Sequence, residues 1–161
     1  MGKKVIHHLG FEDLVSVNRS VVALTKEEHG YSEADGKKLS SLVKEVEARA
    51  DNRAPEEAIP EKASLLVFKI ASGQYFRAGN KRTALVAGAA FLRKNGYALN
   101  LRDPALVETV DRAGMAAATL DDLFASMEDH MAKARSDRKG WDGVIESLLE
   151  DNGEFLTGLA S

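Results

Sequence analysis

Cysteine is absent from the 161 residues, which excludes disulfide scaffolds, thiolate zinc sites and cysteine nucleophiles. Proline occurs 3 times and aromatic residues make up only 6% of the chain, a poor supply for a β-sandwich or barrel. No apolar run approaches the ~18 residues of a membrane span. Neither sign of charge dominates. The 22 Lys and Arg against 25 Asp and Glu leave −3, too balanced to attract nucleic acid or a membrane over the whole surface. After the basic pair Lys3-Lys4 only Val5 and Ile6 are apolar, where a secretory signal carries about 7–15 such residues. A cytoplasmic location is therefore expected, with no membrane or nucleic-acid partner.

What is present is ordinary for a globular domain: 44% hydrophobic and 29% charged residues, with Ala and Leu frequent, a balance that favours helices. Val5-Ile6-His7 reads as a short strand or an extended lead-in. From Phe11 to His29 the apolar positions 11, 14, 15, 21 and 22 have helical spacing, and the segment stops at Gly30. Asn18 lies on that apolar face, so it is either buried with a partner or turned to a cleft. Ser32-Glu33-Ala34-Asp35 reads as a capping box for a second helix striped by Leu39, Leu42, Val43 and Val46. Pro55 to Pro60 is expected to be a connector. Two segments, Ala63 to Ala71 and Ala84 to Leu92, are apolar nearly all round and belong in the middle of a bundle. Asn95-Gly96 closes the second of them, Asp103-Pro104 opens a helix ending before Gly114, and Thr119-Leu120-Asp121-Asp122 caps another. The main domain is placed at residues 1–136. Residues 137–161 form a tail of one or two helical turns, apolar at 141, 144, 145, 148 and 149 and expected to dock on the domain with Trp141 partly buried.

The polar stretch between the two central helices, Gly73 to Arg82, is clamped at both ends by buried structure. At Gly79-Asn80-Lys81-Arg82-Thr83 a loop becomes a helix whose first amides lack carbonyl partners and carry about half a positive charge. Gly79 allows close approach, Asn80 is a good N-cap, and Lys81, Arg82 and Arg77 add fixed positive charge. That combination suits a phosphate or carboxylate. It is not a P-loop, because Gly73 and Gly79 are one residue too far apart and the preceding segment reads as helix.

Gln74-Tyr75-Phe76-Arg77-Ala78-Gly79-Asn80-Lys81-Arg82 resembles the signature of the Fic/Doc family, His-x-Phe-x-Asp/Asn-Ala/Gly-Asn-Lys-Arg. Phe91-Leu92-Arg93-Lys94-Asn95-Gly96 and the opening Leu9-Gly10-Phe11-Glu12-Asp13-Leu14 are similar to the Doc (death-on-curing) branch, and the likeness spans residues 4–134. The resemblance implies a mainly α, Fic/Doc-like helical bundle with at most a short β-hairpin. It also implies transfer of AMP or phosphate from a nucleotide, ATP with Mg²⁺, to the hydroxyl of a protein target, and an antitoxin-like protein as partner. Gly79, Asn80, Lys81 and Arg82 match the family's phosphate-binding positions, and Phe76 matches its loop anchor. Gln74 stands where the family has its catalytic His, and Ala78 where it has the acidic residue that helps hold the metal. A carboxamide has no usable basicity near neutral pH, and loss of a general base alone costs ~10²–10⁴-fold.

The leading reading is thus a Doc-like, toxin–antitoxin-related protein that keeps an anion loop and lacks the catalytic pair, with no cofactor or metal of its own assigned. The alternatives are an active nucleotidyl- or phosphotransferase toxin using another base, with Glu56, Glu57 and Glu61 as sources of compensation, and a plain helical interaction module. His7-His8 is a poor metal pair, since neighbours in an extended segment point to opposite sides. Ser147-Leu148-Leu149-Glu150-Asp151-Asn152 has the spacing of the family's inhibitory helix with Asp for Glu. Leu85 stands where the arginine pairing with it would be, so the match is read as coincidence.

Overall fold

The computed structural model describes residues 5–159; Lys3 and Lys4 lie outside them. Among the described residues there are seven helices: α1 (Phe11–Thr25), α2 (Glu33–Ala48), α3 (Pro55–Gly73), α4 (Asn80–Lys94), α5 (Pro104–Gly114), α6 (Leu120–Asp129) and α7 (Trp141–Gly158). The one sheet pairs β1 (Tyr97–Leu99) with β2 (Met131–Lys133) antiparallel, Ala98 opposite Ala132. The strands are separated in sequence by α5 and α6, so the pairing joins the two ends of a helical pair and is not a local hairpin.

The two all-apolar segments are central, as expected. Every residue of α4 from Arg82 to Leu92 is buried, and α4 is packed between α1, α3, α5 and α7. Its approach to α3 is close because position 88 is glycine: a Cβ there would meet Val67 Cγ2 at 2.4 Å. The caps form where the sequence places them. Ser32 accepts from the Asp35 amide, Asp103 from that of Ala105, and Thr119 and Asp122 close a reciprocal capping box.

Two local expectations are corrected and one open alternative is decided. The Pro55–Pro60 connector is the beginning of α3. Pro55 occupies the first helical position, where its missing N–H has no partner to lose, and Pro60 deletes one ladder bond in a stretch where Ala58, Ile59 and Ala63 are buried. Residues 5–7 form no strand; they are an extended lead-in pinned by Asn95, which accepts from the His7 amide at 2.8 Å and donates to the His7 carbonyl at 2.9 Å. The tail is one helix of 18 residues. Asn152, which interrupts its apolar pattern, turns its side chain back to the Leu148 carbonyl at 2.9 Å, and Leu156 resumes the buried stripe.

Docking of α7 follows the sequence reading. Val144, Ile145, Leu148 and Leu156 belong to the same core as α1 and α4, and Trp141 is half-buried with Lys94 Nζ 5.4 Å from its ring centroid. Asp151, in the segment similar to an inhibitory motif, faces Arg93 at 3.8 Å. Lys62 had no warning in the sequence. It is fully buried, and its ammonium donates to the Val46 and Glu47 carbonyls at the end of α2, at 3.0 and 2.6 Å, with Asp51 at 3.5 Å. The cation there completes the negative end of the α2 dipole.

Candidate anion-binding pocket

The loop between α3 and α4 is bounded by two left-handed residues, Gln74 (φ 51°) and Gly79 (φ 76°). The first ends α3 and the second starts α4, so the chain reverses within a few residues and α4 runs back along α3. At Gly79 the requirement for glycine is double. A Cβ would be strained at that φ, and it would stand 2.9 Å from Val22 Cγ1.

Asn80 is the first residue of α4 and not its N-cap. Its side chain folds the loop back on itself, accepting from the Phe76 amide at 3.0 Å and donating to the Phe76 carbonyl at 2.9 Å and to Gln74 Oε1 at 3.4 Å. Gln74 Nε2 donates to the Ala71 carbonyl at 3.2 Å, so both ends of this carboxamide are engaged in shaping the turn. Phe76 is buried against the rings of His29 and Tyr31, with centroids 6.3 and 6.2 Å away. Asn18 resolves to the buried alternative. Its Nδ2 donates to the Ala78 carbonyl at 2.8 Å and to Thr83 Oγ1 at 3.0 Å, and its Oδ1 lies 2.7 Å from His29 Nδ1. Burial, with Arg19 nearby, holds the His29 imidazole below its ordinary range.

The cations expected at the loop have different fates. Lys81 pairs with Asp111 of α5. Arg82 is buried and turned away from the loop: Nε donates to the Leu156 carbonyl at 2.7 Å, Nη2 to that of Leu159, and Nη1 lies 3.3 Å from Glu27. Its guanidinium closes the end of α7. Arg77 is largely exposed, 3.3 Å from Glu28. Glu56, Glu57 and Glu61 do not approach the loop, because even Glu61 is separated from Gln74 by about 20 Å of α3. Glu61 serves Arg49 and Arg53 instead.

Beside the loop lies a cavity of about 390 Å³, lined by Gln74 and by Ala78 to Lys81 on one side and by Val110, Asp111 and Met115 on the other. Its far wall is α5, held close by Gly114 against the Ala71 carbonyl, and no residue of α7 lines it. Among the described residues, no acceptor engages the backbone N–H groups of residues 78–82. Glu27, Asn18, His29 and Asp111 are the contributors that the motif reading missed or left without partners. Among the described residues, no group of three acidic or histidine side chains is arranged to hold a metal, and Ala78 supplies no ligating atom. Among the described residues no helix is long and apolar enough to cross a membrane.

Fold and loop together define a class: a helical bundle with an open pocket where its buried central helix begins, the loop braced by an asparagine at each side. The sequence of residues 4–92 matches the Fic/DOC family, more than half of the chain, and the protein belongs to that family. No curated protein matches it.

Proposed function

We propose that the protein binds the phosphate of a nucleotide, or a similar anion, at the start of α4 and does not carry out AMP or phosphate transfer by the family's usual route. The unengaged amides of residues 78–82 beside an open cavity are the observation that carries this reading. Gly79 and Lys81 line the cavity, Asn80 holds the loop that presents the amides, and Arg77 stands at the rim. Gln74 occupies the position that the signature assigns to the catalytic His. Its carboxamide takes no proton near neutral pH, and both its ends are engaged within the turn. Arg82, a phosphate position in the signature, acts here by fixing α7, so its contribution to an anion is indirect. A toxin–antitoxin-related role, with an antitoxin-like protein as partner, rests on the Doc-like resemblance of residues 9–14 and 91–96.

The test is a titration of ¹⁵N-labelled protein with inorganic phosphate and with ATP and Mg²⁺, paired with a transfer assay using labelled ATP. The amides of Gly79 to Arg82 are expected to shift on titration, and no label is expected on the protein itself or on lysate proteins. Amides that ignore every phosphate would remove the binding proposal. Labelling that disappears in Lys81→Ala would show that transfer survives without the usual base.

A further inference from the structure

The cavity holds its own anion. Lys81 Nζ donates to Asp111 Oδ1 across the pocket, from a side chain that is 12% exposed to a carboxylate that is 43% exposed. Both residues line the cavity, and α5 is held at that distance by the tight seat of Gly114. Arg82 is committed to α7 and Glu27, and Arg77 faces Glu28 at the rim. Of the two cations lining the cavity, Lys81 is the more buried, and its charge is already matched.

Resting on the anion-binding reading above, we propose that Asp111 is a specificity-determining residue: a built-in counter-anion that a ligand must displace from Lys81, so that the pocket selects phosphate dianions over monoanionic carboxylates. A monoanion exchanges one negative charge for another at Lys81 and still feels the displaced Asp111 nearby. A phosphate dianion feels that repulsion twice over, but its attraction to Lys81 is doubled as well, and it has more acceptor oxygens. It can engage the unpaired amides of residues 78–82 while competing for Lys81.

The experiment compares wild type, Asp111→Asn and Asp111→Asn/Lys81→Gln by amide-shift titration with inorganic phosphate and with acetate, at a pH where phosphate is a dianion. Wild type is expected to respond to phosphate and not to acetate. Asp111→Asn should bind phosphate about tenfold more tightly, the effect of releasing one partly buried charged hydrogen bond, and should gain a response to acetate; the double variant should lose that gain. Asp111→Ala repeats the measurement if the asparagine variant does not fold. Phosphate affinity that is equal to or weaker than wild type in a folded Asp111 variant overturns this assignment and leaves the pocket reading intact. No response to phosphate in any of the proteins overturns both.

Discussion

Asn18 spans three parts of the molecule with one carboxamide. Because Nδ2 donates to a backbone carbonyl, Oδ1 must accept, and the proton on His29 is thereby fixed at Nδ1. Replacing it with Ala leaves the Ala78 carbonyl, Thr83 hydroxyl and His29 N–H short of partners in a site where Asn18 itself is fully buried. Asn18→Ala is expected to destabilise the protein by about 2–4 kcal/mol, read as a lower urea midpoint with an unchanged slope; a shift under about 0.5 kcal/mol would show the network to be dispensable. The polar break in the apolar stripe of α1 made Asn18 visible in the sequence, since periodicity marks the face on which a residue lies. Its partner was not visible, because an isolated histidine has no period. The sequence marks Arg82 as a cation at the head of α4, and the structure turns its guanidinium toward α7 and Glu27. The carbonyls that capture it come from Leu156 and Leu159, and no local pattern announces so distant an acceptor. Asp111 went unnoticed for the same reason: an acid on a helix is ordinary until something across a cavity meets it.

Elements whose signal is long and regular were legible. The all-round apolarity of 84–92 fixed α4 as the central helix, and the capping sequences before α2, α5 and α6 marked those starts at Ser32, Asp103 and Thr119. The three-residue strands were not legible, because alternation needs at least four or so residues to register. Nor was the beginning of α3, where two prolines suggest a loop although the burial of Ala58 and Ile59 outweighs one lost bond. The seam between α3 and α4 has a direct test. Gly88→Ala would place a methyl 2.4 Å from Val67 Cγ2, and the expected cost is about 1–3 kcal/mol. Combining it with Val67→Ala should restore part of the loss, so that the two changes together cost less than their sum in a double-mutant cycle. Strict additivity would mean that the helices separate elsewhere.

At the scale of the whole molecule, burial holds both His8 and His29 below the ordinary imidazole value of 6.5, with the buried Lys62 adding to the effect at His8 and Arg19 at His29. Among the described residues His8 Nε2 is buried without a partner, so protonating it places a cation near Lys62 with none of them to receive its hydrogen. The unfolded chain takes up these protons first. Stability is therefore intact above about pH 6.5 and falls as pH drops from there through the lower folded values. The urea midpoint should be level between about pH 7 and 8 and decline toward about pH 5, and His8→Gln should flatten part of that decline; a midpoint constant down to about pH 5 would contradict the account. The contact between Arg82 and α7 has a consequence in time. The carbonyl of Leu156 lies 74 residues after the arginine it satisfies, and a ribosome adding 5–20 residues per second needs roughly 4–15 s to cross that interval. For that period the nascent chain holds a hydrophobic central helix headed by a guanidinium with no acceptor from α7, so the loop matures only after its last structural partner has been made. Nascent chains stalled before α7 should consequently remain protease-sensitive around residues 74–82, whatever helix they have already formed.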